Sequence, residues 1–189
     1  MKESARNLFG KVSNLLVKVR IAPVLVNESS PESREQTQPK LTIEFVPKTC
    51  WFSNVRDHVS RETWQEIAAT VAAKAGSRCE ICGGRGPKHA VECHEVWYYD
   101  DKTQTQKLVR LIALCPDCHR VKHIGLAWRQ GKDKEALAHL AKVNEWHITR
   151  AERYRRNMFD LWKRRSFFPW KLDLSYLDEA FGLKIQERR

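Results

Sequence analysis

The residues best equipped for chemistry are cysteines and histidines, and their spacing sorts them into two sets. Cys79-Glu-Ile-Cys82 and Cys115-Pro-Asp-Cys118 are two Cys-x-x-Cys pairs with 32 residues between them. Each pair puts two thiols on one tight turn, and Gly83 and Gly84 behind the first pair permit that turn. Four thiolates complete the coordination of a tetrahedral Zn²⁺ and leave no open position, so Cys79, Cys82, Cys115 and Cys118 read as a structural zinc site. Lys11 and Lys18 interrupt any apolar signal-peptide core, so reduced, metal-binding thiols in the cytoplasm are expected rather than disulfides. Cys50 and Cys93 read as small buried hydrophobes.

The second set is His94, within Val91-Glu-Cys-His-Glu-Val-Trp97, and the pair His119 and His123 just past the second knuckle. Residues four apart on a helix point the same way, so His119 and His123 offer a two-nitrogen metal site. The hairpin that must pack beside this helix carries His94, with Glu95 next to it.

The elements that position these residues are legible in outline. Leu41, Ile43 and Phe45 alternate as in a half-buried strand. A helix follows, with Ser60 as N-cap, Gly76 at its C-terminal turn, and Trp64, Ile67, Ala68, Val71 and Ala72 inward. Strands over about 89–99 and 107–114, joined by the polar 100–107, form a long-looped hairpin, and a helix starts near Cys118. Two C-terminal helices follow. The first turns Ala136, Leu137, Leu140 and Val143 inward. The second has Thr149 as a candidate N-cap and Tyr154, Met158, Leu161 and Trp162 on its inner face. The tail alternates at Trp170, Leu172 and Leu174, then turns helical from Ser175. Residues 27–40 contain no strongly apolar side chain and read as a linker. Before them a basic amphipathic helix carries Leu8, Val12, Leu15, Leu16 and Val19 on one side, a surface for the body of the chain or for a protein partner. The division expected is 1–40 extension and linker, 41–130 core, and 131–189 basic, aromatic-rich helical region.

Taken in order, Cys79-x-x-Cys82, "VECHEVW" and "RLIALCPDCHRVKH" resemble an HNH endonuclease domain of the ββα-metal type in its zinc-stapled form, over roughly residues 76–127. The resemblance implies an α+β fold with a ββα-metal HNH core and a structural zinc, flanked by the N-terminal helix and the C-terminal helices. It implies metal-dependent hydrolysis of phosphodiester bonds in DNA rather than RNA. Carried over by position, His94 and Glu95 fall on the two strand histidines, and His119 and His123 on the helix ligands. Arg110 stands where the family has its middle asparagine. Two registers stay open. In one, His94 is the base and Cys93 or Glu95 lies near the metal. In the other, His94 joins His119 and His123 as a ligand and Glu95 is the base. Imidazoles suit Mn²⁺, Ni²⁺, Co²⁺ or Zn²⁺, and a carboxylate in the shell readmits Mg²⁺. The competing reading is a non-catalytic, zinc-containing nucleic-acid-binding module derived from the same fold, as a subunit of a larger complex.

Charge agrees with a polyanionic partner. Lys and Arg number 34 against 23 acids, for a net charge of +11. Seven cations face two acids between Arg150 and Arg165. Arg150, Arg153, Arg156, Arg164 and Arg165, with Arg110, Arg120 and Lys122 near the histidines, are the expected phosphate contacts. Trp128, Trp146, Trp162, Phe167, Phe168 and Trp170 read chiefly as packing for the C-terminal helices, with base stacking as the alternative. No apolar run approaches the roughly 20 residues that span a bilayer.

Overall fold

The computed structural model describes residues 38–51 and 53–185. The expected amphipathic helix and the linker up to residue 37 lie outside them. The fold is α+β. A three-stranded sheet has the order β1-β2-β3, with β1 Glu92–Asp100, β2 Thr105–Leu114 and β3 Lys171–Asp173. The hairpin β1–β2 is antiparallel, and β3 runs parallel to β2. The helices are α1 Arg61–Lys74, α2 Pro116–Lys122, α3 Ile124–Arg129, α4 Asp133–Asn144, α5 Ile148–Arg165 and α6 Ser175–Phe181. Among the described residues no helix is long and apolar enough to cross a membrane.

The middle strand explains the layering. β2 is apolar on both faces because both are covered. Ile112 and Leu114 join Val121, Ile124, Leu137 and Leu140 on the side of α2–α4. Leu111 and Ala113 join Ile67, Val71, Leu174 and Leu177 on the side of α1 and α6. Leu108 also packs in the second cluster, although strict alternation from Leu111 would send it to the first. The ladder pairs Arg110 with Val96 and Leu108 with Trp97, so Val109 is the extra residue of a bulge and lies exposed. The bulge inverts the phase of β2 midway.

Local signals hold at both ends of α1. Ser60 Oγ accepts from Thr63 N at 3.1 Å, and Gly76 takes φ +58° just past the C-cap. At α5 the cap differs from expectation. His147, not Thr149, is the N-cap, and its Nδ1 accepts from Thr149 N at 3.4 Å. Residues 41–46 are extended but pair with no strand. Leu41 and Ile43 are buried as the alternation demands, and the backbone is tied instead by Glu44 N donating to Lys122 O at 3.1 Å. Residues 38–185 form one compact body. The expected boundary at 130/131 falls inside it, because α4 supplies Leu137 and Leu140 to the same core as Ile112 and Val121.

Candidate functional site

Two clusters lie on either side of one peptide bond, that between Cys118 and His119. In the first, the sulfurs of Cys79, Cys82, Cys115 and Cys118 all lie within 4.8 Å of one another, as the spacing predicts. The knuckle that carries Cys79 and Cys82 closes through Gly83 N to Cys79 O at 2.8 Å and Cys79 N to Gly84 O at 2.9 Å, with Gly83 at φ +72°. Pro116 opens α2 at a position where a missing N–H costs nothing. Four thiols this close cannot all ionise unaided. The hydrogen bond with Cys118 leads in bringing Cys79 down to about 4, whereas burial and the neighbouring thiolates push Cys115 up to about 11. A divalent cation removes that conflict, so the donor set fits Zn²⁺. His139, which has no sequence neighbour at ligand spacing, lies with Nε2 3.2 Å from Cys118 Sγ and supports the cluster from α4. Cys50 is buried, as expected of a small hydrophobe, whereas Cys93 is only half-buried, and burial raises their thiols to about 11 and about 12.

In the second cluster the strand and the helix bring His94, His119 and His123 together, with ligand nitrogens within 4.8 Å of one another. Ring centroids are 5.2 Å apart for His94–His119, 5.0 Å for His94–His123 and 4.7 Å for His119–His123. His123 is the residue at which α2 ends and α3 begins. Burial first, then the neighbouring imidazoles, lower His119 and hold His123 down to about 3. Both are therefore neutral at pH 7, the state in which imidazole can bind a cation.

Carboxylates stand behind two of the three rings. His94 is only 4% exposed, and its Nε2 lies 2.9 Å from Glu44 Oε2. Glu44 also accepts from Lys122 Nζ at 2.5 Å, and Lys122 donates to Thr42 Oγ1 at 2.7 Å. Burial by itself would raise the Glu44 carboxyl, but the bond to His94 and the Lys122 ammonium together hold it below its ordinary value. His119 Nδ1 donates to Glu92, which His89 Nε2 also meets at 2.5 Å. A carboxylate only accepts, so the ring proton sits on Nε2 in His94 and on Nδ1 in His119. The lone pairs left are Nδ1 of His94 and Nε2 of His119, the arrangement that orients metal-binding histidines.

Glu95 takes a different place. On β1 Glu92, His94 and Val96 face the helix side, and Cys93, Glu95 and Trp97 the other. Glu95 Oε1 accepts from Val55 N at 3.0 Å, and burial raises its carboxyl. It is outside the histidine cluster, but it lines the same groove of about 720 Å³ as His94, and β1 is an outer strand of the sheet. Cys93, His94, His119 and His123 line the groove too.

The expected phosphate contacts divide. Lys122 is a correction: it is 4% exposed and locked to Glu44, so its charge serves the interior. Arg120 pairs with Asp117 at 2.8 Å, and Arg165 holds Asp101 through two nitrogens at 2.9 and 2.7 Å. Arg150 lies over the Trp146 ring at 4.6 Å. Arg110, Arg153, Arg156 and Arg164 are exposed. None of the eight lines the groove, whereas Arg56 and Arg129 do. Glu44, Glu92, Arg56 and Arg129 are therefore the site residues that the sequence reading missed. The period of β1 already put Glu92 on the face of His94, and the alternation of 41–45 already put Glu44 opposite the buried Leu41 and Ile43. The chain matches no family model, no curated protein and no solved structure.

Proposed function

We propose that this chain is a metal-dependent endonuclease that hydrolyses phosphodiester bonds in DNA, built on a zinc-stapled ββα-metal core of the HNH type. The observation that carries the reading is the convergence of His94 from the hairpin with His119 and His123 from the helix, two of them backed by carboxylates, at an open groove. His94, His119 and His123 would hold a divalent ion, which when bound would supply Lewis acidity toward the phosphate and the attacking water.

The chain's own residues do the rest. Lys122 fixes Glu44, Glu44 fixes the tautomer and tilt of His94, and Glu92 does the same for His119. These bonds support the register in which His94 is a ligand. Glu95, which lines the groove from the other face of β1, is then the candidate base. Arg56 lines the groove as a cation for the phosphate. The exposed Arg110, Arg153, Arg156 and Arg164 are candidate contacts to more distant phosphates.

The placement of Glu95 outside the histidine cluster favours a second reading, a nucleic-acid-binding module without catalysis. One nicking assay separates the two. Supercoiled and linear DNA are incubated with Mg²⁺, Mn²⁺, Ni²⁺ or Zn²⁺, with wild type and His94→Ala compared at equal zinc content. The nuclease reading expects cleavage with at least one ion and its loss in the variant. Salt-dependent binding without cleavage under every ion supports the module instead.

A further inference from the structure

The groove beside the histidines is unusually aromatic. Seven of its 22 lining residues are Phe or Trp, which is far more than phosphate chemistry needs. Three of the seven are not core: Trp51 is 56% exposed, Trp128 is 68% exposed and Phe159 is exposed too, and the groove's Leu126 is also exposed. Exposed apolar surface collected in one place marks a binding surface rather than packing.

Part of the aromatic wall is tied by hydrogen bonds and ring contacts. The indole N–H groups of Trp51 and Trp162 both donate to Val46 O, each at 3.0 Å. Phe159 stacks on Trp162 at 5.0 Å and 23°, and Phe45 meets Phe159 edge-on at 5.9 Å. Trp128 lies on α3, the helix that starts from His123. Cations accompany the rings: Lys48 lies 5.4 Å over Trp162, Lys163 4.7 Å over Phe159 and Arg56 4.8 Å over Trp64.

Flat apolar faces interleaved with cations match one kind of ligand well. A nucleobase offers a π-face to stack on, and its phosphate offers an anion. In a duplex those faces are hidden within the stack and only edges and phosphates are open to the protein. We infer that the groove binds unpaired nucleobases flanking the phosphate at the histidine cluster, so the substrate is single-stranded DNA or a duplex with unpaired or extruded bases at the cut. This inference rests on the nuclease reading above for the position of the phosphate.

The test uses the full chain. Fluorescence anisotropy measures binding of a labelled single-stranded oligonucleotide and of its fully paired duplex, without added catalytic ion, for wild type, Trp51→Ala, Trp128→Ala and Phe167→Ala. Phe167 is exposed but lies outside the groove, so its variant is the control, and circular dichroism checks that all four fold. Cleavage of the same substrates is measured in parallel. Loss of one stacked base weakens single-strand binding about 5- to 150-fold. The expected result is that loss in the two tryptophan variants, none in Phe167→Ala, and tighter wild-type binding to the single strand than to the duplex. Equal or tighter binding of the duplex, or unchanged single-strand binding in both tryptophan variants, overturns the inference. So does a change of oligomeric state in those variants, which would assign the groove to a second copy of the chain. If the tryptophan effect appears but nothing is cleaved, the nuclease reading fails and base binding stands. If duplex is cleaved with no tryptophan effect, the reverse holds.

Discussion

Replacing Lys122 with methionine tests whether a buried ion pair aligns the site. The methionine keeps the length of the stem and removes the ammonium. Lys122 is 4% exposed, and its nitrogen lies 2.5 Å from Glu44 Oε1 and 2.7 Å from Thr42 Oγ1. Removing one partner of a buried pair costs roughly 3–5 kcal/mol, because the other charge stays behind unpaired. Glu44 keeps its bond to His94 and is partly open to water, so the low end, about 3 kcal/mol, is expected for Lys122→Met. Glu44→Gln leaves the lysine without a carboxylate and costs at least as much. The double variant leaves no unpaired charge. It is expected to recover about 2 kcal/mol relative to the sum of the single changes. A cycle of the four proteins, unfolded in urea at constant zinc and followed by tryptophan fluorescence, gives the coupling. A second readout ties the pair to function: Glu44→Gln is expected to lower metal affinity at the histidine cluster by roughly 10- to 100-fold, as loss of a bracing carboxylate does. A coupling below about 0.5 kcal/mol, with metal affinity unchanged, would refute the claim that Lys122 and Glu44 act as one unit on His94.

Cys118→Ser is expected to lower bound zinc by one ion per chain in elemental analysis and to abolish cooperative unfolding, since a structural site contributes folding energy directly. Glu92→Gln leaves His119 with a weaker partner and should reduce affinity at the histidine cluster in calorimetric titration while the four-thiol zinc stays bound. Gly86→Ala would bring a Cβ to 2.3 Å from His89 O and 2.6 Å from Pro116 Cδ, so about 1–3 kcal/mol of stability should be lost by overpacking where the knuckle meets α2. Asp101 is held below its ordinary value by its bond to Arg165. Its contribution is present above about pH 4 and is lost as pH falls through the lower folded value. Asp101 is well exposed, so Asp101→Asn should cost under about 1 kcal/mol at pH 7, and the difference from wild type should shrink as the pH falls below the ordinary carboxylate range in urea titrations.

The parts legible in the sequence were those governed by local rules. Two knuckles read correctly because a Cys-x-x-Cys turn specifies its own geometry. Ser60 and Gly76 mark α1 because capping is a matter of a few residues. The nearness of His94 to His119 and His123 follows from one requirement, that a hairpin packs on the helix that follows it, while their roles as ligands come from the family resemblance, which leaves His94 open between ligand and base. What failed depended on distant chain. Lys122, between two histidines on a basic helix, looks like a surface cation. It is buried because residues 41–46, about eighty positions earlier, cross over it and bring Glu44 and Thr42. Glu44 itself looked like the wet face of a strand that pairs with nothing. The phase change at Val109 carries no composition signal, although it decides that Leu108 and Leu111 share a face. Thr149 lost the cap of α5 to His147, a ring nitrogen taking the place of a hydroxyl.

Cys118 and His119 are consecutive residues, about 3.8 Å apart along the backbone. Removal of an ion held there, by chelation or by oxidation of the thiolates to disulfides, therefore disturbs an imidazole that the reagent has not touched. Loss of an ion from the four thiols would thus be felt at the groove through the backbone while the three imidazoles stay chemically intact, and reduction with fresh zinc would be expected to return His119 to its place.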